Sequence, residues 1–159
     1  MLVYLGNTIG ALGTVVLVLM GQVAQFGDGA VRETVLAIGR HKAALGVTEA
    51  LALGVLCNGL VCLAVWLAMG GRSVADKVLA IVFPITAFVT IGFEHSIANL
   101  FFLPYALALD GFGDAQLLGG SVRNLLAVTV GNILGGTVLV AGVYWLAYLR
   151  PGAEAMPAK

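Results

Sequence analysis

Residues 93–104 read FEHSIANLFFLP, where Glu94, His95, Ser96 and Asn99 place a carboxylate, an imidazole, a hydroxyl and a carboxamide in an otherwise apolar stretch. An imidazole changes charge near neutral pH, so it can sense pH or share a proton with a neighbouring acid. An ionisable group at mid-membrane depth is costly and marks a functional site by default. Two readings of His95 fit the residues alone: a group lining a passage, and a core histidine hydrogen-bonded between helices.

The elements that must position these groups are membrane spans. The chain has 159 residues, 60% hydrophobic and 10% charged, with a mean hydropathy of +1.04. A soluble domain carries roughly 25% charged residues, so this chain cannot cover a globular surface with charge. Long apolar runs between short polar ones mean an all-α integral membrane protein. The net charge is zero and no Lys/Arg cluster exists, which leaves nucleic-acid binding and polybasic lipid anchoring without support. Met1 and Leu2 enter an apolar run directly, without a basic n-region, so a cleaved signal peptide is not expected. Cys57 and Cys62 lie about 140° apart around one helix, too far for a disulfide within it. They read as small buried apolar residues, and no cofactor or metal is expected.

Four spans are expected at about 2–20, 43–69, 78–109 and 124–149 in a single membrane domain, with a disordered tail at 150–159. After the first, the Gly-Asp-Gly turn at 27–29 precedes an amphipathic piece, expected as a short helix at the membrane interface. Ser73 with Asp76 three residues later has the pattern of a capping box, which starts the third stretch. As one helix that stretch would be roughly 48 Å long, against a hydrocarbon core of about 30 Å. Pro84, Thr86, Thr90 and Gly92 place a break at 84–93, with a second half-helix from about 94 to 107.

One internal repeat is visible: VYLGNTIGALG at 3–13 echoes VTVGNILGGTV at 128–138, with Gly-Asn-x-x-Gly in the same register. Gly6 and Gly10, like Gly131 and Gly135, form a small-xxx-small face that lets helices approach closely. Asn7, Asn99 and Asn132 are expected to tie helices together.

The runs GVLCNGLVCLAVWLA (54–68), GRSVADK (71–77), FVTIGFEHSIANLFFLP (88–104) and VTVGNILGG (128–136) resemble the formate/nitrite transporter family, in the right order over nearly the whole chain. The resemblance implies an aquaporin-like helical bundle with an interrupted span, built from two inverted three-span repeats. It also implies a homopentamer with one pore per protomer, in the inner (plasma) membrane. Carried over, the four spans match the family's third to sixth, so the chain is expected to be a piece lacking the first two.

What the resemblance implies for residues follows the same matches. His95 becomes the central pore histidine and Asn58 the pore asparagine that partners it. Lys42 becomes a vestibule lysine that draws anions in, and Phe88 an aromatic constriction that resists bare ions by dewetting. The cargo would be small monovalent anions such as formate or nitrite. Dehydrating them in an apolar pore is expensive, and a proton donor or the N-terminal end of the second half-helix would lower that cost. A carboxylate beside such a path would repel its cargo, so Glu94 is expected to face protein, with Ser96 and Asn99 in support. Glu49 is expected to be bonded in the same way.

Family topology puts the 70–77 loop and the tail in the cytoplasm. Charge does not decide it, since Arg72, Lys77, Arg150 and Lys159 balance Arg32, Arg40, Lys42 and Arg123. Three functions compete: a passive or proton-coupled anion channel, a haem-binding membrane subunit, and a truncated non-conducting scaffold. His41 and His95 sit at different depths, which argues against bis-histidine haem ligation. No nucleophile–base pair or phosphate loop suggests an enzyme.

Overall fold

The computed structural model describes residues 2–150, most of them helical and the rest in turns and short extended links. The expected tail therefore lies outside the described residues beyond Arg150. Six helices follow in order: α1 Leu2–Met20, α2 Ala30–Ala44, α3 Val47–Gly70, α4 Val74–Ile91, α5 Ser96–Asp110 and α6 Ala115–Leu134. The last continues through residues 135–149 in wider π-type turns, making one 35-residue rod. Four of these elements are long and apolar enough to cross a membrane: α1, α3, α4 and the α6 rod.

The α3–α6 pair forms the spine. A Cβ added at Gly131 would collide with the Leu51 carbonyl oxygen and stand 3.1 Å from both Gly54 Cα and Val55 N. Backbones this close need glycine at the crossing, so the small-xxx-small face of the second repeat copy does what such faces do in membranes. Helix α2 packs on α5 and α6 through Val35, Gly39 and Ala43, all buried. By contrast α4 has no buried residue and α1 only Val15.

Four expectations need correction. The 30–44 segment is a 15-residue helix packed into the bundle, because Gly39 fits against Ala106 where any side chain would clash. The second span starts at Val47, because extended backbone at Leu45 and Gly46 breaks the chain between α2 and α3 and leaves Ala43 and Ala44 in the former. Helix α4 runs unbroken through Pro84, and the interruption lies at 92–95. A proline forfeits one backbone bond, which a membrane helix tolerates, whereas Gly92 at φ 83° ends the helix outright. The final span begins at Ala115, because the Asp114 carboxylate caps the N–H groups of Gln116 and Leu117 at 2.8 and 3.1 Å. The Ser73–Asp76 capping box forms in both directions.

Candidate functional site

The interruption between α4 and α5 frees backbone groups inside the bundle, and neighbouring helices take them up. The Glu94 N–H donates to the Leu53 carbonyl of α3 at 3.4 Å. Asn132 of α6 does most of the rest. Its Oδ1 accepts from the Ser96 N–H at 2.8 Å, and its Nδ2 donates to the Glu94 carbonyl at 3.0 Å and the Gly54 carbonyl at 2.8 Å. One carboxamide thus joins α3 and α6 to the break itself and to the first residue of α5, as a buried interruption demands.

His95 sits at the break as the N-cap of α5. Its Nδ1 accepts from the Ala98 N–H at 3.3 Å, so in the neutral ring the proton belongs on Nε2. The Phe88 ring stacks on the imidazole, centroids 5.8 Å apart and 20° from parallel. The ring borders a cavity of about 550 Å³ together with Tyr4, Asn58, Ser96, Thr129 and Asn132. Of the first-turn amides of α5, those of Ser96 and Ala98 are already taken by side chains; the helix dipole remains for an anion.

Glu94 points the other way. It is 2% exposed, with Oε1 on Lys42 Nζ at 2.7 Å and Oε2 accepting from Asn99 Nδ2 at 2.6 Å and Asn124 Nδ2 at 3.2 Å. The carboxylate faces protein: the Lys42 ammonium neutralises it, and two carboxamide donors fill its other oxygen. A buried charge survives only with such company.

His95, Asn58 and Ser96 therefore come together at one cavity, with Phe88 on the ring. Asn58 is not hydrogen-bonded to His95; its Nδ2 donates to the Asn132 carbonyl at 2.5 Å. Lys42 does not stand free at a mouth: it lies in the last turn of α2 with its ammonium on Glu94. Asn99 and Asn132 tie helices together, whereas Asn7 is exposed on α1 and Glu49 is exposed in the first turn of α3. Neither makes a side-chain hydrogen bond among the described residues. Asn124 was missed by sequence reasoning, although it falls on a regular buried stripe of α6 that includes Leu117, Ser121, Val128 and Asn132.

The profile of the formate/nitrite transporter family matches residues 1–146. The formate channel FocA of Escherichia coli K12 is 38% identical over 164 residues, covering 93% of this chain and 58% of the relative. A protein described as a probable formate transporter, from Methanothermobacter thermautotrophicus, is 45% identical over 115 residues, covering 72% of this chain and 41% of its own. A solved pentameric formate channel with formate bound superposes at a TM-score of 0.82 with 37% identity, over 93% of this chain and 64% of that one. The chain spans less than two thirds of the length of these relatives. Its four span-length apolar helices and the match to a channel fold make it a multi-pass membrane protein. The chain belongs to the formate/nitrite transporter family.

Proposed function

We propose that this chain lines the permeation path of a channel for small monovalent anions, formate foremost and nitrite or related weak acids besides, in the inner (plasma) membrane. His95 is the group that meets the anion in transit: the neutral, capping ring hydrogen-bonds it through Nε2–H, and a ring that has taken up a proton at Nδ1, releasing the Ala98 N–H, can give one proton to the anion and return to the neutral form. Asn58 and Ser96 hold the polar side of the path, and Phe88 is its apolar constriction. The assembly is a homopentamer in the bilayer, and the protein transports rather than catalyses. The observation that carries the reading is the cap: with Nδ1 committed to Ala98, the ring presents Nε2–H as its free donor beside a cavity at a helix interruption. A fixed donor in a water-poor path replaces part of the hydration an anion gives up.

The test is formate-driven proton movement into proteoliposomes loaded with a pH-sensitive dye. Wild-type protein should carry flux that depends on pH. His95→Asn keeps a capping acceptor at the start of α5 but cannot titrate, so its flux should lose that dependence; His95→Phe should lose flux as well. No wild-type flux above empty liposomes would favour the non-conducting scaffold. Unchanged pH dependence in both variants would remove the histidine from the mechanism.

A further inference from the structure

We propose that Asn124 is a positioning residue for this site, holding the Glu94 carboxylate so that its charge stays neutralised next to His95. Asn124 is 1% exposed and binds three partners from three places in the chain. Its Nδ2 donates to the Lys42 carbonyl at 3.0 Å and to Glu94 Oε2 at 3.2 Å, and its Oδ1 accepts from Asn99 Nδ2 at 2.7 Å. The same side chain therefore fixes both members of the ion pair, Lys42 through its backbone and Glu94 through its carboxylate.

The Asn99 contact adds direction. Asn99 has no exposed surface, and its Oδ1 finds no hydrogen-bond partner among the described residues. If that amide turned over, it would present an oxygen to the carboxylate in place of a donor. Asn124 Oδ1 accepts from the same amide nitrogen and so holds the donor towards Glu94. Next to Asn124, Arg123 donates to the carbonyls of Ala43 and Leu45 at 2.9 and 3.2 Å. Together the two residues satisfy the loose carbonyls where α2 breaks before α3, which keeps Lys42 in register with Glu94. A carboxylate with its donors displaced would project negative potential towards the neighbouring His95 and oppose an entering anion.

The test exchanges the chemistry without changing shape. Asn124→Asp replaces the donor nitrogen by oxygen, and Glu94→Gln supplies a donor from the other side. In the full chain in detergent micelles, Asn124→Asp should shift the unfolding equilibrium by about tenfold to a hundredfold towards the unfolded form. Adding Glu94→Gln should recover part of the loss by removing the contact between two carboxylates, the Asn99 donor and the Lys42 carbonyl staying mismatched. A cost that is absent, or equal in both Glu94 backgrounds, would overturn the proposal, as would failure of both the single and the double variant to fold. The flux consequence rests on the transport reading above. Where wild-type liposomes carry formate, Asn124→Asp should raise the half-saturating formate concentration several-fold, and the double variant should bring it back; an unchanged value would leave only a structural tie and overturn the positioning role. Where wild-type liposomes carry none, the transport reading falls and the stability cycle still decides the role of Asn124.

Discussion

The two copies of the Gly-Asn-x-x-Gly motif live in opposite surroundings. On α6, Asn132 is buried and its side chain holds Gly54, Glu94 and Ser96. Gly131 and Gly135 press against the backbone of α3. On α1, Asn7 is exposed, and Gly6 and Gly10 have nothing within 4 Å of where a Cβ would stand. The copies nevertheless meet at equivalent positions, for Tyr4 Oη and Thr129 Oγ1, one residue after the valine that opens each motif, lie 3.0 Å apart. The difference teaches that the motif supplies only a smooth helix face and a carboxamide. What turns these into a structural tie is a broken helix opposite, with loose N–H and C=O groups to be satisfied.

Removing the tie on α6 should give the largest effect. Asn132→Leu keeps the volume but leaves the Ser96 N–H and the Glu94 carbonyl at the break without their partner, and should destabilise the chain by about 2–4 kcal/mol in reversible micelle unfolding. Because the Ser96 amide and the Glu94 carbonyl flank His95, any flux should fall with it. A loss under about 1 kcal/mol would mean that the break holds itself together. Next comes Gly131→Ala, whose added methyl meets the Leu51 carbonyl and must push α3 from α6, for about 1–3 kcal/mol. An unfolding midpoint equal to wild type would show the crossing to be slack.

How far the sequence carried this picture follows from the same physics. Helix type, the capping box and the glycine face were legible because each depends on near neighbours or on period. The break was placed too early because Pro84 was weighed as in a soluble helix, while the residue that ends α4 was Gly92, which must adopt positive φ. The start of α6 lies earlier than the expected 124, because the Asp114 cap starts the helix and Leu117, Gly120 and Ser121 already bury a face in the bundle. His95 and Asn58 were legible through their rarity in apolar runs and through family motifs. The commitment of Lys42 to Glu94 was not, since it joins residues 52 positions apart through a packing that no local pattern encodes. Asn124 left one signal, its place on the buried stripe of α6.

The smallest expected effect is the most discriminating. Asn7→Leu removes a carboxamide with no side-chain hydrogen bond to any described residue, from a face where the neighbouring glycines meet open space. In the isolated chain in micelles it should change stability by no more than about 0.5 kcal/mol. Gly6→Ala on the same face should cost nothing and gain up to about 1 kcal/mol, since alanine forms helix more readily than glycine and no neighbour stands in the way of its methyl. Identical changes at the matching positions of α6 should be severe, so the motif is its own control. If Asn7→Leu cost as much as Asn132→Leu, the side chain on α1 would already be bonded within this chain. The contrast would then lie between two satisfied carboxamides rather than between a used face and a bare one.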